Sequence, residues 1–157
     1  SQKSEVRGQK SEVKNTSDFG KIGLSQFNFT LMNSNISIQD RTKKFAVRVI
    51  RSYAELSKRN FDDAGKVLSK QFLRSGTSIG ANCSEAKAAQ STKDFISKYE
   101  IALKETQELI FWCEVFIEAE LVSRNKFSLL LQEADEIARI LNSSIVKLKQ
   151  KLLTSDS

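Results

Sequence analysis

STKDFISKYEIALKETQELIFWCEVFI, residues 91–117, decides the fold. Within it Phe95, Tyr99, Ala102, Thr106, Leu109, Cys113 and Phe116 alternate in steps of four and three, while Ile96, Leu103, Ile110 and Ile117 recur every seven. An α-helix returns to one face after about 3.6 residues, so this spacing draws a continuous apolar stripe and predicts the seam of a left-handed bundle. Ser91 followed by Asp94 has the spacing of a capping box and opens this helix. Ile101, Phe111, Trp112 and Val115 fall outside both lines, leaving the C-terminal half apolar nearly all round. Such a girdle exceeds what an antiparallel monomeric bundle covers and predicts oligomerisation, with Trp112 a candidate interface residue.

Upstream lies Gln71-Phe72-Leu73-Arg74-Ser75-Gly76-Thr77-Ser78-Ile79-Gly80-Ala81-Asn82-Cys83-Ser84-Glu85-Ala86. We place it in a helix over about 63–89, started by the turn and capping residues Asn60, Asp62 and Asp63. Leu68, Phe72, Ile79, Cys83 and Ala86 form its apolar line, with Ser75 in the gap, and Gly76, Gly80 and Ser84 run beside it at four-residue spacing. A mid-helix glycine costs about 1 kcal/mol against alanine. Two of them predict either close approach by a neighbouring helix or a kink near Gly76. The adjoining line of Gln71, Arg74, Ser78, Asn82 and Glu85 is polar at helical spacing. Arg74 and Glu85 are three turns apart, so each needs a partner on another helix or subunit. The Arg-Ser-Gly-Thr-Ser run is not a phosphate-binding loop, because it lacks the Lys-Ser/Thr ending and a preceding strand.

Two more helices complete the pattern. Asp40 is the expected N-cap of a first helix reaching about Lys58, with Phe45, Ala46, Val49, Tyr53 and Leu56 facing inward. Arg41, Lys44, Arg48, Arg51 and Lys58 gather opposite, which is either a solvated charged face or a nucleic-acid surface; interleaved aromatics are missing from it. Ser123 or Asn125 starts the fourth helix, whose inner line is Phe127, Leu130, Ala134, Ile137, Leu141, Ile145, Leu148 and Leu152. Lys147, Lys149 and Lys151 complement the dipole at its end, or belong to a basic patch. Four helices with short connections specify an all-α, up-down-up-down antiparallel four-helix bundle over 37–153.

Composition narrows the chemistry. The 157 residues include no histidine and no proline. Without imidazole there is no His-based triad, histidine metal site or histidine general base, and carboxylate or lysine chemistry at Lys104, Glu105 or Glu108 is a weak alternative to ordinary helix-surface charges. We expect no enzyme activity, no catalytic residue, no metal, no cofactor and no small-molecule substrate. No apolar run approaches the length of a membrane span, and the N-terminus has Lys and Glu where a secretory signal needs an apolar core. Cys83 and Cys113 read as buried thiols of a cytoplasmic protein. The formal net charge of +6 permits attraction to nucleic acid.

Residues 1–36 read as a low-complexity, disordered extension. Gln2-Lys3-Ser4-Glu5-Val6 recurs as Gln9-Lys10-Ser11-Glu12-Val13 with one apolar residue per unit, too few for a coiled-coil seam. Met32, the sole methionine, precedes the first sustained helical pattern, so we place the natural translation start there and read the preceding segment as an upstream extension of the frame.

Leu73-Arg74-Ser75-Gly76-Thr77-Ser78-Ile79-Gly80-Ala81-Asn82, Ser84-Glu85-Ala86, Lys93-Asp94-Phe95-Ile96-Ser97-Lys98, and Ala102-Leu103-Lys104-Glu105 with Trp112 resemble the 23S rRNA-intervening-sequence proteins. The resemblance covers about 37–149 and implies a small antiparallel bundle assembling into a ring-shaped homopentamer. A related branch, the accessory variability determinants of diversity-generating retroelements, is basic and is understood to bind a reverse transcriptase and nucleic acid. Residues 1–31 carry five basic and three acidic groups, leaving a more modest +4 for the bundle. That departure from the basic branch weakens a direct transfer of its RNA binding; the resemblance itself implies an oligomeric scaffold for RNA or an RNA-binding protein, with a protein-interaction module without nucleic acid as the alternative. Arg74, Gly76, Ser78, Gly80, Asn82, Glu85 and Trp112 are the expected helix-packing or subunit-interface residues, and Arg41, Lys44, Arg48 and Arg51 the expected nucleic-acid contacts.

Overall fold

The computed structural model describes residues 36–156; the heptad repeat, the tail and Met32 lie outside the described residues. Four helices follow one another: α1 (Ile38–Ser57), α2 (Asp63–Ala86), α3 (Thr92–Glu118) and α4 (Arg124–Ser155). Each of the first three starts on a side-chain cap that satisfies an orphan amide. The Asp62 carboxylate accepts from the Gly65 N–H at 2.9 Å, and the Ser91 hydroxyl from the Asp94 N–H at 3.1 Å. In α1 the cap is Ser37, one turn before the expected Asp40: its hydroxyl accepts from the Asp40 N–H at 3.1 Å. Asp40 instead supplies negative charge to the first turn and accepts from the Ser37 hydroxyl at 2.9 Å. Of the two candidates for α4, Ser123 takes the cap position, without a side-chain bond. Helix α2 ends at Ala86, just short of the expected 89, because Lys87, Ala88 and Ala89 tighten into a turn.

The end of α3 was not legible. Glu120 has φ 59°, the Leu121 N–H donates to the Phe116 carbonyl at 3.0 Å, and the Glu120 N–H to the Ile117 carbonyl at 3.0 Å. This is a Schellman stop whose left-handed position, usually glycine, is filled by glutamate. Leu121 folds back onto the core as that motif requires.

Helix α2 packs extensively on α1 and α3, α3 packs on α4, and α1 closes on α4 through the lightest of these seams. The cross-helix pairs run in opposite directions along the chain: Arg74 meets Glu108 while Glu85 meets Lys98, which makes α2 and α3 antiparallel. At one end the Arg59 guanidinium donates to the Leu121 carbonyl at 2.8 Å, tying the 58–62 connection to the 119–123 connection. The core at that end is aromatic, with Phe127 against Phe72 at 5.5 Å and against Phe116 at 5.9 Å between ring centres.

Buried hydroxyls do not disturb the core. Thr42, Ser69, Ser75 and Thr106 each donate to the carbonyl four residues earlier at 2.8–2.9 Å, so no donor is orphaned. Of the expected inner positions, Ala46 and Tyr53 are only half-buried, since α1 turns Thr42, Phe45, Val49 and Leu56 to the centre. Ser84 is exposed, so the small-residue line beside the α2 core ends at Gly80.

Glu120→Gly removes the strain of a left-handed non-glycine residue but adds unfolded-state entropy, for a net gain of about 0.5–1 kcal/mol. Thermal denaturation followed by circular dichroism should show a rise of about 2–4 °C in Tm.

Candidate functional site

The two mid-helix glycines of α2, Gly76 and Gly80, face α1. A Cβ built on Gly76 would lie 2.6 Å from Val49 Cγ1, and one built on Gly80 would lie 3.0 Å from the Thr42 carbonyl oxygen. Gly76 thus makes room for a side chain, whereas Gly80 admits the α1 backbone itself. Helix α2 runs unbroken from Asp63 to Ala86 through both, so the chain does not leave the helix at Gly76.

The polar line of α2 turns to the opposite flank and meets α3. The Arg74 guanidinium reaches Glu108 and lies 3.5 Å from Glu105, and its Nε donates to the Gln71 amide oxygen at 3.4 Å. The Trp112 indole N–H donates to the same Glu108 carboxylate at 3.1 Å. Hydrogen bonding from Arg74, then from Trp112, holds the Glu108 carboxyl below its usual range. Further along, Lys98 pairs with Glu85 at 2.8 Å. Ser78 and Asn82 donate to the carbonyls of Arg74 and Ser78 at 2.6 and 2.9 Å. Arg74 and Glu85 therefore find their partners on the next helix of the same chain. One oxygen of Glu105 is buried without a hydrogen-bond partner among the described residues.

The cations of α1 divide into two kinds. Lys44 and Arg51 are exposed, and neither has an ion pair to a carboxylate among the described residues. Arg41, expected on a solvated face, is instead 8% exposed and bound to Glu136, and Arg48 is half-buried and bound to Glu133. Both carboxylates belong to α4. The reason is azimuth: Arg41, Lys44, Arg48 and Arg51 recur at three- and four-residue steps and draw a stripe along the α1–α4 seam. Sequence reasoning missed Glu133 and Glu136. The available signal was Glu133 itself, an acidic residue beside the inner line of α4, where only a paired charge is tolerated. Burial pushes its carboxyl up, against the pull of Arg48 and Arg41.

The outer face of α3 carries two exposed apolar residues, Ile101 and Phe111, among exposed polar ones such as Ser97, Lys104 and Gln107. Phe111 is 55% and Ile101 38% exposed, and Phe111 meets the half-buried Trp112 edge-on at 4.9 Å. Among the described residues no group of His, Cys, Asp or Glu could hold a metal ion. Cys83 and Cys113 are free and buried, and burial pushes their thiols up to about 11 and about 12, so neither offers a thiolate near neutral pH. No helix of the described residues is long and apolar enough to cross a membrane.

Residues 34–143 match the family described as 23S rRNA-intervening sequence protein. The chain belongs to that family. A solved structure from Bacteroides thetaiotaomicron, described as a protein of unknown function from the S23 ribosomal protein family, is 42% identical, with a TM-score of 0.64 over 69% of this chain and 98% of that one. No curated protein matches. The family match ends within α4, before the lysine-rich turns that follow residue 143. The glycine contacts, the Arg74 cluster and the α1 stripe all fall inside the matched span of this 23S rRNA-intervening sequence protein.

Gly80→Leu forces a branched side chain against the α1 backbone and should cost about 3 kcal/mol. Urea unfolding measures it; an unchanged midpoint would rule out the close α1–α2 approach.

Proposed function

We propose that this 23S rRNA-intervening sequence protein is a non-enzymatic cytoplasmic scaffold that self-associates through the outer face of α3 and contacts RNA through the cationic stripe of α1. The observation that carries the RNA reading is the placement of Lys44 and Arg51, exposed on one helical stripe with Arg41 and Arg48 between and beside them. Such a row tracks a line of phosphates by charge, without base recognition. The half-buried and buried arginines add cations to the stripe while their stems hold α1 to the bundle.

The outer face of α3 supports self-association. Phe111 at 55% exposure, with the half-buried Trp112 and Val115 near it, is a large aromatic side chain that a monomer leaves in water. The family resemblance makes a ring of five copies the specific expectation. The same face also favours the second reading, a protein-interaction module with no nucleic-acid partner: nuclease-insensitive recovery of a protein partner, together with absent RNA binding, would select it.

Two measurements test the proposal. The double variant Lys44→Glu/Arg51→Glu should weaken binding of a fluorescein-labelled RNA hairpin about tenfold or more and lower the salt slope by about two. Binding that is insensitive to salt, or equal in the variant, rejects the RNA reading. Light scattering of the unmodified protein should give an oligomer, and Phe111→Asp should give smaller species with an intact helical spectrum; a monomeric unmodified protein rejects assembly through α3.

A further inference from the structure

Resting on the RNA-binding reading above, we infer that α4 carries a built-in competitor for the α1 stripe: Glu136 occupies Arg41, and a run of phosphates must displace it to engage the whole stripe. The stripe has four cations, but α4 places a carboxylate on two of them. Glu133 is nearly as buried as a core residue, at 9% side-chain exposure; it anchors Arg48 and also pulls on Arg41 from a distance, without bonding it. Glu136 differs. Its side chain is 25% exposed and holds Arg41 at the rim of the seam.

Arg41 is poorly satisfied where it lies. Its guanidinium has a buried Nε with no hydrogen-bond partner among the described residues, and its side chain is 10% exposed. A guanidinium has five donors in a fork suited to carboxylate and phosphate alike, so leaving one donor dry favours an alternative site that meets more of them. Arg41 lies in the first turn of α1, at the end of the seam that is lightest in the bundle, so few packed neighbours hold it there. A single phosphate cannot win this exchange at Arg41 while Glu136 remains adjacent. Several phosphates held by Lys44 and Arg51 raise the local concentration beside Arg41 and can win it. The device therefore selects a continuous backbone over isolated anions.

The test uses the full chain and the same RNA hairpin in fluorescence anisotropy across a salt series. Glu136→Gln keeps the side-chain shape, and is expected to bind roughly tenfold tighter with a salt slope steeper by about one, the mark of one added phosphate contact. Asp135→Asn, which removes the same charge from an exposed position on the same helix, should change affinity far less and leave the slope alone. Arg41→Met in the Glu136→Gln background should abolish the gain. If Glu136→Gln melts below the assay temperature, Glu136→Asp, which shortens the reach to Arg41, carries the same expectation. Equal binding by Glu136→Gln and the unmodified protein, an equal gain in Asp135→Asn, or a gain that survives Arg41→Met overturns the inference while leaving RNA binding intact. Binding by Glu136→Gln alone supports it as full inhibition. Absent binding in every protein overturns both readings.

Discussion

The approach of α1 to α2 at Gly76 and Gly80 is the constraint on which the rest of this bundle depends. A Cβ at either position would collide, with the Val49 side chain in one case and the Thr42 backbone in the other. Two glycines inside one helix cost about 2 kcal/mol of intrinsic propensity, which only packing can offset. The offset is a seam where Val49 inserts to the α2 backbone and Thr42, its hydroxyl satisfied by the Ile38 carbonyl, contributes no unpaired donor. Once α1 is drawn to α2, its remaining flank is aimed at α4. The cationic stripe lies along that flank.

Three of the four helix seams are held by different physics. Between α1 and α2 the interaction is close-packed and nearly charge-free. Between α2 and α3 an apolar centre is edged by ion pairs of Arg74 and Lys98, exposed enough that solvent screens much of their energy. Between α1 and α4 the apolar contact is lightest and the charges are deepest, with Arg41 and Glu133 both largely removed from water. Buried pairs of this kind gain little over apolar replacements, because desolvation opposes the Coulomb term. The raised Glu133 carboxyl states the same balance from the other side: burial outweighs its two arginines. Their energetic contribution is therefore to orientation, fixing which arginine faces which carboxylate.

Much of this was legible in the sequence. The four-three alternation from Phe95 to Phe116 specified α3 and its buried stripe, and Phe72, Ile79, Cys83 and Ala86 specified that of α2, because a 3.6-residue period leaves a direct trace in residue type. The glycine approach was legible for a related reason, since mid-helix glycine has an intrinsic cost. What was not legible concerned partners distant in the chain. Arg41 and Arg48 look like solvated cations until α4 brings Glu136 and Glu133 beside them. The Ser37 cap was missed because Ser37 and Asp40 are equally good caps and only backbone geometry separates them. Glu120 was missed because nothing in a glutamate announces a left-handed turn.

These asymmetries bear on what the two outer faces can do. Helix α3 is packed on both flanks, by α2 and by α4, so Phe111 projects from an element held from two sides. Helix α1 is held by close packing on one flank and by the Arg41–Glu136 and Arg48–Glu133 pairs on the other, which leaves Lys44 and Arg51 exposed beside the charged seam. The self-association and RNA contact proposed above would place opposite demands on side-chain order, and the bundle puts the two faces on different helices with α2 between them.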